Sequence, residues 1–320
     1  MRRLRSTPAL RRLVAETRLS PDDLVAPLFV REGIEEPRPL PSLPGVMQHT
    51  VSSVAAEAKH VASLGVPAVI VFGVPEHKDA AGSGASAPYG IAQQAIRQVR
   101  EALGDELVVM ADLCLDEYTD HGHCGLLLPD GTVDNDSTLE RYGEVAVAQA
   151  EAGAAVVAPS GMMDGQVQAI RGALDSALFT DVAVLAYAVK YASPLYGPFR
   201  EAVEVTLAAG RDRRAYQEDF RNFTEGLAEA RLDVAEGADM VMVKPALPYL
   251  DVLRALRLEL DVPVAAYHVS GEYAMVKAAA SQGLIDGEAV MVEQLTAIKR
   301  AGASFLLTYF AAEAAELLSR

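Results

Sequence analysis

Short apolar runs alternate with longer stretches of helical periodicity along most of this chain. Eight runs read as buried strands: Leu24–Val30, Ala68–Phe72, Leu107–Asp112, Ala155–Ala158, Val182–Val189, Met240–Val243, Pro263–His268 and Ser304–Tyr309. Most are near-continuous in Val, Ile, Leu and Ala. That is the pattern of parallel strands covered on both faces, not of half-exposed strands with strict alternation. Between them the spacing predicts amphipathic helices over Val51–Leu64, Ile91–Leu103, Leu139–Ala152, Gln166–Leu178, Ala215–Glu236, Leu250–Leu260, Glu272–Gln282 and Glu288–Arg300. A ninth, Ala311–Leu318, closes the chain.

One junction recurs four times: SLGVPAVIVFG, EAGAAVVAPSG, AEGADMVMVKP and RAGASFLLTYF. Each ends a helix at glycine and enters an apolar strand. Glycine there supplies the left-handed cap that a short helix-to-strand loop needs. Alternating βα units imply a parallel sheet, and eight of them at this length point to a closed (β/α)8 TIM barrel. The alternative is an open doubly wound sheet, but no GxGxxG or GxxxxGK[ST] follows a strand. Two loops are longer than a βα turn requires: Leu113 to Ser137 after the third strand, and Lys190 to about Arg214 after the fifth. Both follow strands, so both sit on the C-terminal face where barrel active sites are built. No internal domain boundary stands out. Residues 1–20 read as an N-terminal arm and residues 21–320 as one catalytic barrel.

Composition narrows the partners. Half of the 320 residues are hydrophobic (51%) and the formal net charge is −16. A surface that acidic repels phosphate backbones and anionic lipid, which argues against nucleic acid and membrane. No apolar run is long enough to span a bilayer. The basic start MRRLRSTPALRR has no hydrophobic stretch behind it, so it is not a secretory signal. An organelle-targeting segment is the other reading of it; an arm or surface helix fits better, because it runs into a helix cap and the first strand. With two cysteines, Cys114 and Cys124, the chain is no disulfide scaffold. The expected compartment is the cytoplasm.

Two lysines stand at strand ends. Lys190 closes VAVLAYAVK, and Lys244 closes DMVMVK. They end the fifth and sixth strands, so their ammonium groups converge over the barrel mouth. Two close cations on an apolar floor depress at least one pKa, and a neutral lysine forms a Schiff base with a ketone. The plain alternative is two lysines that leave their strands for solvent. The third loop holds Asp112, Cys114, Asp116, His121, His123 and Cys124 within CLDEYTDHGHCG and its approach. Cys114, Asp116 and Cys124 offer a thiolate–carboxylate–thiolate set with an open fourth position, the catalytic pattern for zinc. The alternative there is two inert buried cysteines. The fifth loop crowds Arg200, Arg211, Arg213 and Arg214, whose guanidinium forks suit an acidic substrate or merely balance nearby acids. Ser160, Ser270 and Tyr309 add hydroxyls at other strand ends, with helix capping as the simple reading of Ser270.

Together these motifs resemble the 5-aminolevulinate dehydratase (porphobilinogen synthase) family. The resemblance runs almost end to end and is carried by CLDEYTDHGHCG, APSGMMDGQV, YAVKYASPLYGPFR, DRRAYQ, MVMVKPALPYLD and AYHVSGEYAM. It implies a lyase that condenses two 5-aminolevulinate molecules into porphobilinogen for heme and other tetrapyrroles. Lys244 would be the principal Schiff-base lysine and Lys190 would bind the second substrate. Asp112 would assist proton transfer beside Ser160. Ser270 and Tyr309 would hold one substrate carboxylate, and Arg200, Arg213 and Gln217 the other. The resemblance also implies a homo-octamer embraced by the N-terminal arms, and a magnesium ion held by one glutamate, here Glu229.

The chain departs from the family pattern in two places. Zinc-dependent members place three cysteines in the metal loop, whereas Asp116 stands here at the middle position. A carboxylate opens such a set to harder cations. Gly161 stands where an acid is common in the motif after the fourth strand. Two rival functions remain open from sequence: another Schiff-base barrel aldolase acting on small keto acids, and a non-catalytic metal-binding homologue.

Overall fold

The computed structural model describes residues 2–207 and 212–319. Eight parallel strands close into a barrel. They are β1 (Leu24–Arg31), β2 (Ala68–Val74), β3 (Val108–Leu113), β4 (Val156–Pro159), β5 (Ala183–Lys190), β6 (Met240–Lys244), β7 (Val264–His268) and β8 (Leu306–Thr308). Each pairs with the next in chain order, and β8 returns to β1 through Leu24↔Leu306 and Val25↔Leu307. The apolar runs are covered on both faces: Val69, Ile70, Val109, Val157, Val184, Leu185, Val241 and Val243 are all fully buried. Each such side chain contributes about 1.5–3 kcal/mol on burial, so the barrel wall is the main source of stability.

The four junction glycines behave as their motif requires. Gly65, Gly153, Gly237 and Gly302 have φ of 83°, 102°, 111° and 129°. A side chain at any of them would be strained, which is why the helix-to-strand turns reuse glycine.

Observed helices agree with the expected ones to within a few residues, with one correction. The helix expected over Ala215–Glu236 begins only at Thr224. The residues before it are used by the sheet: Glu218 N donates to Lys190 O at 3.1 Å, and Ala192 N donates to Glu218 O at 2.9 Å. Asp219 then accepts from Arg221 N at 2.9 Å in a local turn. Backbone groups committed in this way cannot also propagate a helix. Other elements went unforeseen. A short antiparallel pair, Arg38–Pro39 with Met47–His49, lies outside β1, and Gly197–Ala202 forms a helical turn in the fifth loop.

Residues 2–20 precede the barrel. They contain a 3-10 turn (Arg2–Arg5) and a short helix (Pro8–Leu13) whose N-cap Thr7 accepts from Leu10 N at 3.2 Å. Neither element contains a buried residue. Among the described residues, no helix is long and apolar enough to cross a membrane.

Candidate active site

Lys190 and Lys244 are in-register partners at the C-terminal ends of adjacent strands. Both are buried, at 4% and 5% exposure, so neither follows the plain route to solvent. Burial, reinforced by the charge of Lys190, lowers the pKa of Lys244 to about 7 against the opposing pull of Asp112, Asp116 and Glu117. A lysine in that range is substantially neutral at pH 7, as a Schiff-base nucleophile must be. The Lys190 ammonium donates to the Ser160 carbonyl.

An aromatic cage surrounds the Lys244 Nζ. It lies 4.6 Å from the ring centre of Tyr267, 4.9 Å from Tyr187, 5.2 Å from Phe199 and 5.3 Å from Tyr196. Tyr187 also lies under Lys190 at 5.7 Å. Strict alternation along β5 would put Tyr187 and Lys190 on opposite faces. A register shift between Ala186 and Val189 brings both to the barrel mouth. Beside them, Ser160 Oγ donates to Asp112 Oδ2 at 3.2 Å. Burial raises the Asp112 carboxyl to about 6, opposed by the charges of Lys244 and Lys190. It is therefore poised to exchange a proton near neutral pH.

The third loop folds its candidate ligands together. One sulfur each from Cys114 and Cys124 and one oxygen of Asp116 lie within 4.8 Å of one another, and all three residues are buried. Two soft sulfurs and one carboxylate, within reach of a single centre, fit a tetrahedral ion with one open position. His121 and His123 stay outside this set: His121 Nε2 contacts Ala80 O, and His123 Nδ1 lies 3.1 Å from Tyr216 Oη. Asp116 also forms a buried ion pair with Arg213 at 2.7 Å. Burial works against its charge, but Arg213 and Lys190 prevail and hold the carboxyl well below the usual range. Arg213 further donates to Gly122 O at 2.8 Å, so the fifth loop is clamped onto the third.

The remaining fifth-loop groups close the mouth. Asp116, Glu117, Ser160, Lys190, Tyr196, Phe199, Arg200, Arg213 and Lys244 line a pocket of only about 10 Å³. Among the described residues, Arg200 Nε, Arg213 Nε and Gln217 Nε2 are buried donors with no hydrogen-bond partner. Orphaned donors of this kind are costly unless an acceptor meets them. Ser270 is not a helix cap. It is the first helical residue after N-cap Val269, and its hydroxyl donates to Leu195 O at 3.2 Å while accepting from Phe199 N at 3.1 Å. Tyr309 Oη lies 3.1 Å from Tyr267 Oη. Arg214 is exposed and pairs with Asp212, and Arg211 lies outside the described residues.

Comparison with known proteins decides what kind of barrel this is. Residues 1–317 match the family model described as delta-aminolevulinic acid dehydratase. The chain belongs to the delta-aminolevulinic acid dehydratase family. The dehydratase of Streptomyces coelicolor is 58% identical over 99% of this chain and 96% of its own length. That of Mycobacterium tuberculosis H37Rv is 56% identical over 99% and 97%. The crystal structure of the Toxoplasma gondii dehydratase, in complex with its product porphobilinogen, superposes with a TM-score of 0.96 at 42% identity. It covers 99% of this chain and 90% of that one.

Within this dehydratase barrel, most of the residues expected from sequence converge: Lys190, Lys244, Asp112, Ser160, Arg200 and Arg213 meet directly or through shared neighbours. Glu229 does not. It is half-buried on the Thr224–Glu236 helix and lines a separate cleft of about 670 Å³ with Asp164, Glu218 and Glu225. Sequence reasoning missed Tyr187, because the strand irregularity that turns it inward leaves no mark in the residue pattern. It also missed Glu117. That carboxyl is buried in the pocket wall, and burial beside Asp116 and Asp112 pushes its pKa well above the usual carboxylate range.

Proposed function

We infer that this chain carries the activity of its family, the condensation of two 5-aminolevulinate molecules into porphobilinogen with loss of two waters. The observation that carries the reading at residue level is the in-register pair Lys190 and Lys244, buried beside Asp112 at the barrel mouth.

Neutral Lys244 adds to the ketone of one substrate and Lys190 to that of the other. Each addition expels a water as the imine forms. Loss of a proton from carbon converts one imine to an enamine, whose carbon is the nucleophile. Carbon–carbon bond formation and attack by a substrate amino group then release both lysines and close the ring. We assign the acceptance and return of the protons to Asp112, to which Ser160 donates at 3.2 Å. The aromatic cage keeps the Lys244 Nζ desolvated without giving it a permanent anionic partner.

We assign the unpartnered donors of Arg200, Arg213 and Gln217 to the carboxylate of one substrate. Ser270 and Tyr309 take the other. We assign to the fifth loop, which brings Phe199 and Arg200 to the pocket lining, the role of a lid that admits substrate and then closes over it. We assign zinc to the Cys114–Asp116–Cys124 set, where it would supply Lewis acidity at the substrate carbonyl or a bound hydroxide. Magnesium is assigned to Glu229, a single carboxylate completed by water. The arm, with Leu4, Leu13 and Val14 exposed at 47%, 75% and 44%, is assigned to the embrace of a neighbouring subunit in a homo-octamer. Buried free thiols suit the reducing cytoplasm.

Porphobilinogen formation from 5-aminolevulinate, before and after chelation and with zinc or magnesium restored singly, tests this reading. Activity lost to the chelator and restored by zinc supports both the function and the zinc assignment. Activity restored by magnesium alone moves the essential ion away from Cys114 and Cys124. No porphobilinogen under any metal condition overturns the function.

A further inference from the structure

Gly161 breaks the motif in which an acid is common, and its backbone gives no reason for glycine. Unlike the junction glycines, it is not among the residues with positive φ. The reason is the neighbour above it. A Cβ built on Gly161 would lie 1.6 Å from Tyr142 Oη, 2.6 Å from Cζ and 2.9 Å from Cε2. Tyr142, in the middle of the Asn135–Glu151 helix, is fully buried and fills the space that any side chain at 161 would occupy.

The Tyr142 hydroxyl reaches the third loop at two points. It donates to the Cys124 carbonyl at 2.7 Å, and its oxygen lies 3.9 Å from Cys114 Sγ. One rigid ring thus touches both cysteines of the candidate metal set, Cys114 at its sulfur and Cys124 at its backbone carbonyl, while Arg213 holds Asp116. The phenol has little freedom of its own. The next residue, Gly143, lets its helix pack closely against the Ala173 methyl, 3.0 Å from where a Cβ would stand.

We propose that Tyr142 is a positioning residue for the Cys114–Asp116–Cys124 metal-binding set, and that Gly161 is glycine to make room for it. The proposal rests on the metal reading given above. A tetrahedral site needs its two sulfurs at a fixed separation, and outer partners that fix first ligands typically change metal affinity 10–100-fold when removed. Without the hydroxyl, the Cys124 carbonyl loses a donor and the Cys114 sulfur gains empty space beside it. An acid at position 161 would evict the ring, so acid at 161 and tyrosine at 142 are alternative ways of filling one volume.

The test uses full-length protein stripped of metal and titrated with cobalt(II), followed by its sulfur-to-cobalt absorption, and with zinc by competition against a chromophoric chelator. Wild type should bind cobalt with an intense near-ultraviolet charge-transfer band. Tyr142→Phe, which removes one oxygen, should weaken both metals by about tenfold or more and shift the visible cobalt bands, while far-ultraviolet circular dichroism stays that of wild type. Gly161→Ala, which displaces the ring but keeps the hydroxyl, should do the same. Unchanged affinity and spectrum in Tyr142→Phe overturn the proposal, and if that variant does not fold, the same result in Gly161→Ala overturns it. A wild-type protein that binds cobalt without a sulfur-to-metal band defeats the metal reading itself, and the positioning role with it.

Discussion

Lys190 and Lys244 stand opposite one another in the register of β5 and β6, each the last residue of its strand. Parallel neighbours in register present their side chains in the same direction, so the barrel delivers two amines to one place without help from any loop. The groups facing Lys244 are Lys190, Asp112, Asp116, Glu117 and the rings of Tyr187, Tyr196, Phe199 and Tyr267. Burial and the Lys190 charge outweigh the three acids and lower Lys244 from 10.5 to about 7. The sign is clear: the neutral, reactive form is the minor one below pH 7 and dominates above it. Lys244 acylation, followed by peptide mass spectrometry, should rise through a midpoint near pH 7 and then level off. A midpoint near 10 would mean that the ammonium is fully solvated.

Asp116 and Arg213 form an ion pair in which both side chains are about 5% exposed. Removing one partner from such a pair leaves an uncompensated buried charge, at a cost of about 3–5 kcal/mol. Asp116→Ala, compared with wild type in metal-free buffer, should lose stability of that order in urea unfolding. A change below about 1 kcal/mol, the value of an exposed pair, would mean that Arg213 finds water or another acceptor.

Arg200 presents a buried Nε that no group among the described residues satisfies. A hydrogen bond between charged groups is worth about 1.5–3 kcal/mol, which corresponds to roughly 10–100-fold in binding. Arg200→Ala should raise the KM for 5-aminolevulinate by that factor and lower kcat less. A loss confined to kcat would assign Arg200 to the chemical step instead.

The arm has apolar residues but no interior. Leu13 is 75% exposed, and neither the Arg2–Arg5 turn nor the Pro8–Leu13 helix buries a residue. Deletion of residues 1–14, which leaves Leu19 packed against the core, should leave the thermal unfolding of the barrel almost unchanged and reduce the particle to a smaller oligomer in sedimentation velocity. An intact octamer after deletion would place the subunit contacts on the barrel.

Much of this architecture is legible in sequence because the barrel wall is buried on both faces. Continuous runs such as Ala68–Phe72 and Met240–Val243 have few other uses, and the positive-φ glycines mark where each follows a helix. The candidate loop ligands are legible for a related reason: Cys114, Asp116 and Cys124 sit close in sequence and so remain close in space. What escaped depends on contacts between distant segments. The helix expected from Ala215 starts at Thr224 because Glu218 pairs with Lys190, a partner that no local pattern reveals. Tyr187 turns inward through a strand irregularity, and Ser270 binds Leu195 and Phe199 rather than capping its helix. Gly161 is explained only by Tyr142, nineteen positions earlier in the sequence and in contact with it in space.

Borohydride reduction in the presence of 5-aminolevulinate, followed by peptide mapping, tests the account most directly. The prediction is a reduced covalent adduct on Lys244, joined by one on Lys190 at higher substrate, and absent from Lys244 when that residue is replaced by Met. Adducts found only on other lysines, or none at all in a preparation that still makes porphobilinogen, would contradict it.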